Sequence, residues 1–389
     1  MFRILGLSGL PALLLLLAFP QLSTAEIPAP ASLPLPCRSD PALRGDPAYV
    51  LAHRESFVTV GREGCEFPSL AEALARDPDG RTTICVMDPV HREGGVKLGG
   101  KVEILGFGAA ATMVEAAARP EDAVACVFEI LPGSRVLLSG ITIRGGDNTE
   151  GMRFGGGIVN NGDLTIEDCA VVENVATAGA GVWSTGPLRI RRSLVAANRI
   201  IHRPAAEEAA GIGCRGAGSG LKIDAGCLAL MEDCLVAWNS SIKGGAGMHV
   251  SCEAEARLSG CVIYGNVAGG RGGGIELAGG RLSLDRCTIA GNEANGGGKA
   301  LFNRGLLSIT GSLVASEHPT AYLRATDGGG DIGIGTLLVN EANYCQSGGL
   351  PGAATGEPGA LRLGDSGGAA WTLLPEPGSP ARGYGAGSR

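Results

Sequence analysis

The side chains best suited to chemistry are a histidine and a glutamate at equivalent positions in two copies of a repeated sequence. His249 and Glu276 each follow the apolar residue that opens a short strand, Met248 and Ile275 respectively. If the copies stack in register, the two side chains lie about 5 Å apart on adjacent strands. A histidine beside a carboxylate can transfer protons near neutral pH, so both are candidate catalytic residues. The alternative is a solvated pair that performs no chemistry.

Aromatic and basic side chains occur at neighbouring positions of the same repeat. Trp183 takes the place of His249 in an earlier copy, and Arg304 lies two residues beyond that place in a later copy. Counting from Gly211-Ile212 assigns Arg215 to the same position as Arg304. An indole ring stacks on apolar faces, and a guanidinium group pairs with carboxylates, which suits an acidic sugar. We therefore predict a ligand-binding face comprising Trp183, Arg215, His249, Glu276 and Arg304.

These positions belong to a unit that recurs about every 25 residues. One copy runs from Leu164 to Asn174 and contains two short alternating segments separated by a break, with Cys or Ser after the break and Asn at the end. The alternation indicates two strands, and a third strand opens after a Gly-rich turn. Three short strands per turn are typical of a parallel β-helix. The sequence therefore predicts an all-β fold, a right-handed parallel β-helix with a short N-terminal capping helix beginning at Ser69.

Two positions of the repeat predict stacks of similar side chains inside the coils. Amides about 4.8 Å apart can hydrogen-bond to one another, and the predicted structural ladder comprises Asn174, Asn198, Asn239, Asn266 and Asn292. Five residues earlier lie Cys169, Ser193, Cys234, Cys261, Cys287 and Ser312. We interpret these cysteines as buried free thiols rather than disulfides or a metal site, because serine replaces cysteine in two copies. Cys214, Cys227 and Cys252 lie outside this stack and are better disulfide candidates. We predict no metal and no cofactor.

The composition excludes several classes of protein. Glycine contributes 65 and proline 21 of the 389 residues, which excludes a helical bundle, and 44% hydrophobic residues exclude a disordered chain. The formal net charge of −7 argues against a nucleic-acid partner, because phosphate binding requires a basic surface. We expect the chain to be a monomer.

The chain divides into five predicted segments. Residues 1–25 combine Arg3, an apolar run and small residues, which predicts a cleaved signal peptide because the run is shorter than the roughly 20 residues that span a bilayer. The later segments are a Pro-rich tether (26–47), an N-terminal cap with first strands (48–96), the coils (97–317) and an irregular C-terminal cap or tail (318–389). We expect a secreted, periplasmic or cell-surface protein with no transmembrane segment after cleavage.

Three stretches resemble known families. The Gly-rich turn before Ile275, followed by Cys287 to Asn292, resembles the repeats of polymorphic outer-membrane proteins and related bacterial right-handed β-helix proteins. Residues 367–381 look like the C-terminal end of choice-of-anchor β-helix proteins, and residues 67–106 are similar to the opening coils of pectin-degrading enzymes. The resemblance covers about residues 65–385 and implies the fold. It implies no single activity, because β-helices include lyases, hydrolases, esterases, adhesins and passive stalks.

Two functions remain open at this stage. The first is a non-catalytic exported protein that binds a glycan or another cell-surface component along the side of the solenoid. The alternative is a polysaccharide-processing enzyme, either a pectate lyase-like enzyme or a glycoside hydrolase, that acts on an acidic polysaccharide. Pectin lyases of this fold are expected to carry clustered aspartates for calcium. No such cluster is predicted, because the aspartates do not share one repeat position: Asp147, Asp163, Asp168 and Asp285.

Overall fold

The computed structural model describes residues 57–76, 81–149, 154–201 and 217–314, together with the backbone of five later strands. Over these residues the chain forms a parallel β-helix, because it passes through three parallel sheets in turn and returns to the first sheet one strand further along. The helix is right-handed. The predicted fold class is confirmed. The predicted signal peptide, the tether and most of the C-terminal segment lie outside the described residues.

Three long sheets form the sides of the coil. Sheet 1 has eleven strands: Val58–Val60, Arg81–Val86, Lys101–Leu105, Arg135–Ser139, Asp163–Glu167, Leu188–Arg191, Leu228–Glu232, Glu255–Ser259, Arg281–Asp285, Leu306–Thr310 and Thr336–Glu341. Sheet 2 has ten strands: Val90–Arg92, Met113–Glu115, Thr142–Arg144, Ala170–Val172, Leu194–Ala196, Leu235–Ala237, Val262–Tyr264, Thr288–Ala290, Leu313–Val314 and Tyr344–Cys345. Sheet 3 has nine strands: Val96–Leu98, Phe128–Ile130, Ile158–Asn160, Val182–Ser184, Leu221–Ile223, Met248–Val250, Ile275–Leu277, Leu301–Asn303 and Leu323–Ala325.

A short fourth sheet, which the repeat did not predict, lies between sheets 2 and 3. Its two-residue strands are Asp147–Asn148, Val175–Ala176, Arg199–Ile200, Ser240–Ser241, Val267–Ala268 and Glu293–Ala294. A separate antiparallel hairpin pairs Leu361–Asp365 with Trp371–Pro375. The α-helix Leu70–Ala75 and the 3₁₀ helix Pro120–Asp122 are the helices of the described residues.

The core consists of thin layers of aliphatic side chains. In sheet 3 the inward positions hold Ile158, Val182, Leu221, Met248, Ile275 and Leu301, all fully buried. Each such side chain contributes roughly 1.5–3 kcal/mol on burial, and each coil obtains that burial only by stacking on its neighbours. The stacking of coils therefore both defines the fold and stabilises it.

The coils turn at residues in the left-handed region of the backbone. One such residue precedes each Cys or Ser of the thiol position, and another precedes each asparagine of the ladder. Asp168, Ala197 and Trp238 have φ values of 53°, 54° and 53°, whereas other coils have glycine there, as at Gly260 and Gly265 with φ of 63°. An L-residue in this conformation costs about 1–2 kcal/mol relative to the right-handed form.

The asparagines of the repeat are fully buried and form a continuous row of hydrogen bonds. The Oδ1 atom of Asn239 accepts from the backbone N and the Nδ2 of Asn198, both at 3.0 Å. The Nδ2 of Asn239 donates in turn to the Oδ1 of Asn266 at 2.9 Å and to the carbonyl of Val195 at 3.0 Å. The same pattern links the other members, and Asn174 also accepts from the backbone N of Gly146 at 3.0 Å.

The thiol position is buried on the inner side of the same turns. Cys169, Cys234, Cys261 and Cys287 are free thiols with no solvent exposure, and burial raises the pKa of Cys169 to about 12. Cys227 and Cys252 are also free, so the structure contains no disulfide at these two predicted positions. The Cys227 Sγ instead donates to the carbonyl of Gly186 at 2.9 Å. Cys214 lies outside the described residues.

The helix Leu70–Ala75 is held on the first coil by both its own cap and a carboxylate. Ser69 Oγ accepts from the backbone N of Glu72 at 3.2 Å. The Glu93 carboxylate accepts from the backbone N of Leu70 at 2.7 Å and of Ala71 at 2.9 Å, and it contacts His91 Nε2 at 2.8 Å. These bonds satisfy the free N–H groups at the start of the helix.

The insertion between Asn198 and Asn239 shifts the count in one coil. The repeat predicts that the third strand of this coil begins at Ile212, but the residue that pairs with Val182 on one side and Met248 on the other is Leu221. The extra residues therefore precede the third strand, and Arg215 and Ile212 lie outside the described residues.

Candidate functional site

The outward side chains of sheet 3 form one continuous row across eight coils. Strand residues alternate inward and outward, so each central residue of these three-residue strands points away from the core. The register aligns Lys97, Glu129, Val159, Trp183, Lys222, His249, Glu276 and Phe302. We call this set the outer row. It brings together three of the predicted site residues, Trp183, His249 and Glu276.

The outer row is covered by the turns that precede its strands. Each row residue from Val159 onward lies four residues after a glycine with positive φ, and these glycines are Gly155, Gly179, Gly218, Gly245, Gly272 and Gly298. A Cβ on Gly245 would lie 2.9 Å from the Cβ of His249, and one on Gly218 would lie 3.0 Å from that of Lys222. The row is therefore much more buried than an ordinary outward face, and the exposed fraction of His249 is only 8%.

His249 and Glu276 lie on adjacent strands as predicted by the repeat, with Nε2 and Oε2 separated by 3.9 Å. Burial and the Lys222 ammonium lower the pKa of His249 to about 3, although Asp224 opposes this shift. Burial raises the pKa of Glu276, and Arg304, Arg271 and Lys222 partly offset it. His249 is therefore neutral at pH 7 and a weak base, so Glu276 is the better candidate for proton transfer.

Asp224 links three coils of the site. Its Oδ2 accepts from Trp183 Nε1 at 3.0 Å, and its Oδ1 accepts from Ser251 Oγ at 2.9 Å. Burial alone would raise the pKa of Asp224, but the Lys222 ammonium and these two hydrogen bonds together lower it below its usual value. Asp224 occupies the repeat position that sequence analysis assigned to Arg215, because the true third strand of this coil begins at Leu221.

Lys222 takes the place in the outer row that the sequence count had assigned to Gly213. Its exposed fraction is only 6%, and among the described residues no carboxylate oxygen lies within 4.0 Å of its ammonium group, although Asp224 and Glu276 interact with it electrostatically. The third strands that begin at Val182, Met248 and Ile275 all start with the last residue of a Gly-x-Gly-apolar motif. In the coil with the insertion, Gly218-Ser219-Gly220-Leu221 contains this motif, whereas Ala209-Ala210-Gly211-Ile212 does not. That motif is the sequence signal that could have located Lys222.

Two arginines flank the far end of the site. The guanidinium carbon of Arg271 lies 4.9 Å from the ring centroid of Phe302, and that of Arg304 lies 5.2 Å from it, so both form cation–π contacts. Neither arginine has a carboxylate within 4.0 Å among the residues that the structure describes. Arg304 was predicted from the repeat, whereas Arg271 lies in a Gly-rich turn outside the template.

The other end of the outer row opens into a cavity of about 510 Å³. Its lining comprises Gly95, Lys97, Ala125, Cys126, Glu129, Asn148, Phe154, Val159 and Trp183. The rings of Phe154 and Trp183 have centroids 5.1 Å apart and an interplanar angle of 45°. The Lys97 Nζ lies 3.9 Å from a Glu129 carboxylate oxygen across the floor. Trp183 thus joins the aromatic cavity to the charged half of the row.

Within the described part of the chain, no group of three or more His, Cys, Asp or Glu side chains is arranged to hold a metal ion. The same part contains no helix long and apolar enough to cross a membrane.

The fold defines the class of protein as a parallel β-helix. No protein-family model and no curated protein matches the sequence. A pectin methylesterase from carrot has a similar fold, with 12% identity and a TM-score of 0.43 over 76% of this chain and 85% of that chain. Pectin methylesterase PemA from Erwinia chrysanthemi has 13% identity and a TM-score of 0.37 over 77% of this chain and 92% of that chain. A pectin methylesterase in complex with hexasaccharide VII gives the same four values.

Proposed function

We propose that this protein is exported and binds a polysaccharide along the outer row. The observation that supports this most directly is the cavity of about 510 Å³ whose wall contains the Phe154–Trp183 aromatic pair. A concave site with aromatic walls and few polar groups is the usual form of a small-ligand site. The Glu129 carboxylate and the Asn148 Oδ1 are hydrogen-bond acceptors that suit hydroxyl-rich ligands, whereas the Asn148 Nδ2 already donates to the carbonyl of Phe154 at 2.6 Å.

The shape of the outer row suits a chain rather than a single sugar. Eight positions separated by seven steps of about 4.8 Å give a length of about 34 Å. Each coil places its row residue in register with that of the next coil. A linear polymer can therefore contact the aromatic cavity and the charged half of the row at the same time.

The proposal is tested by measuring the affinity of the purified protein for a panel of soluble neutral and acidic polysaccharides by calorimetry. Trp183→Ala removes both the stacking surface and the hydrogen bond to Asp224. We expect it to weaken binding by about 30-fold, which corresponds to about 2 kcal/mol for a central aromatic contact.

Two further variants control this measurement. Trp183→Phe keeps a ring and should retain most of the affinity. Trp238→Phe changes a largely buried tryptophan in the turn after a sheet 2 strand, next to Tyr264, and should bind normally. No binding to any polymer of the panel, or equal binding by Trp183→Ala and the parent protein, would refute the proposal.

A second candidate function is a polysaccharide-processing enzyme, and one observation favours it. Asp224 and Glu276 are carboxyl groups whose environments move their pKa values in opposite directions, Asp224 below and Glu276 above its usual range. Two carboxyl groups with separated pKa values can act as acid and base in hydrolases. Asp224 directly follows the strand Leu221–Ile223, which has one strand between it and the strand of Glu276. The enzyme hypothesis predicts release of reducing ends, ester cleavage or ultraviolet-absorbing unsaturated uronates from acidic polymers, and loss of that activity in Glu276→Gln.

The export proposal depends on the N-terminal sequence and on the family resemblance. Residues 1–25 have the pattern of a signal peptide, and the repeats resemble those of polymorphic outer-membrane proteins. Expression of the full chain in a bacterial host, followed by N-terminal sequencing of the periplasmic fraction, should give a protein that begins near Glu26. Retention of Met1 in the cytoplasm would refute export.

A further inference from the structure

The half of the outer row from Lys222 to Phe302 is surrounded by basic side chains that have no close carboxylate partner among the described residues. Lys222 lies beside His249 on the adjacent strand, and Arg271 and Arg304 contact Phe302, which lies beside Glu276; we call these three basic residues the basic cluster. No carboxylate among the described residues lies within 4.0 Å of any of the three, whereas other basic residues of the coils pair closely, as Lys299 does with Glu293 at 2.6 Å. The cluster occurs on a chain whose formal net charge is −7.

Lys222 is the most buried residue of the basic cluster. The residue is only 6% exposed, and no carboxylate oxygen of the described residues lies within 4.0 Å of its ammonium group, although Asp224 and Glu276 interact with it electrostatically at longer range. Because desolvation disfavours a charge, a largely buried ammonium group favours an additional anionic partner. The strand register places Lys222 beside His249 on the adjacent strand, and Glu276 follows one strand further along the row.

We infer that the basic cluster is a subsite for the acidic groups of a polysaccharide, with Lys222 as its buried anchor and Arg271 and Arg304 at its rim. The inference rests on the proposed function and specifies the class of ligand. A carboxylate or sulfate group would complete the hydrogen bonding of the Lys222 ammonium, and the two guanidinium groups can each bind such a group in a bidentate manner. A basic patch on an acidic chain also steers anionic ligands to this face.

In this arrangement the sugar rings of the ligand bind at the Trp183 end of the row and its acidic groups bind at Lys222 and beyond. Trp183 borders Lys222 on the adjacent strand, so a sugar ring stacked in the aromatic cavity can place the acidic group of the next unit against the ammonium. His249 is neutral at pH 7, so it neither repels the Lys222 ammonium nor strongly attracts the acidic group of the ligand. Its Nδ1 atom lies 3.4 Å from Ser251 Oγ, whose proton is donated to Asp224, so the ring is held by the same network as Asp224.

The test compares three polymers of similar length at low ionic strength: alginate for carboxylates, dextran sulfate for sulfates, and unmodified dextran as the neutral control. We expect at least one charged polymer to bind about tenfold or more tightly than dextran and to lose affinity with added salt. Lys222→Met should reduce the affinity for that polymer about tenfold or more, because it retains the apolar stem and removes the charge.

The matched control is Lys101→Met, which removes the same charge from an exposed position of sheet 1 and should not change binding. Circular dichroism and the melting temperature report whether Lys222→Met folds. The double variant Arg271→Gln/Arg304→Gln alters only exposed side chains, so it provides a second measurement if Lys222→Met does not fold.

The outcomes separate this inference from the proposed function. If dextran binds as tightly as both charged polymers and only Trp183→Ala reduces affinity, the acidic subsite is wrong and polysaccharide binding remains. If Lys222→Met and the double arginine variant both bind the charged polymer normally, the basic cluster is not the subsite. If no polymer binds, both proposals are wrong.

Discussion

Replacing Asn239 with leucine removes one member from the middle of the buried asparagine ladder. The side chain takes part in four hydrogen bonds: it accepts two from Asn198 and donates to Val195 and Asn266, at 2.9–3.0 Å. Leucine fills a similar volume but forms none of these bonds. The backbone N of Asn198 is then buried without its acceptor, because the Asn239 Oδ1 is its partner in this structure.

The expected loss can be estimated from these contacts. A buried polar group left unpaired costs about 1–3 kcal/mol, and each additional lost hydrogen bond costs about 0.5–1.5 kcal/mol. Because the contributions are not additive, we expect Asn239→Leu to lower the free energy of unfolding by about 3 kcal/mol. For a domain of this size, that loss corresponds to a fall in the melting temperature of about 6–12 °C.

The assay is thermal unfolding followed by far-ultraviolet circular dichroism, with Asn303→Ala as the matched control. Asn303 is also a buried asparagine of a coil, but its Oδ1 accepts a single bond, from the backbone N of Gly305 at 2.9 Å. Its replacement should cost about 1 kcal/mol. A melting temperature of Asn239→Leu within about 2 °C of the parent, or no lower than that of Asn303→Ala, would show that the ladder does not stabilise the coils.

Three further predictions concern backbone strain and pH. Ala197→Gly should raise the melting temperature by about 2–4 °C, because the φ of 54° at Ala197 costs about 1 kcal/mol that glycine does not incur, whereas Ala196→Gly within the adjacent strand should lower it. The His249 pKa of about 3 lies below that of an unfolded histidine, so the unfolded state binds the proton first and stability falls as the pH drops from about 6.5 to 3; His249→Gln should flatten this part of a plot of melting temperature against pH. The hydrogen bonds from His91, Ala71 and Leu70 outweigh burial and lower the pKa of Glu93, so its contribution is complete above the unfolded pKa of about 4.3 and is lost below it; Glu93→Gln should lower the melting temperature at pH 6 much more than at about pH 3, and an equal effect at both would contradict the capping role of Glu93.

The repeat predicted those features that recur in every coil. Asn266 is recognisable in the sequence because each coil has the same turn at that position and requires the same buried amide. His249 and Glu276 could be placed on adjacent strands for the same reason, since the 27 residues from Asn239 to Asn266 and the 26 from Asn266 to Asn292 contain no insertion.

The features that the sequence did not predict depend on contacts outside the repeat. Lys222 was missed and Arg215 was placed in its coil because the insertion breaks the count between Asn198 and Asn239. The neutral state of His249 arises from its burial under the Gly245 turn and from the charge of Lys222, and neither is visible in a linear pattern. The cavity depends on Phe154, a residue between two strands that no periodicity assigns to the site.

The outer row is modular, because each coil contributes one side chain to it. Deletion of residues 240–266 removes one complete coil and joins Asn239 to Val267, which has the same phase as Ser240. The shortened chain retains the asparagine ladder, with Asn239 now followed by Asn292, and it brings Lys222 next to Glu276 in the row. The order of chemical groups along this surface can thus be changed one coil at a time without redesigning the core. A ligand that contacts several coils would then bind in a position shifted by one coil.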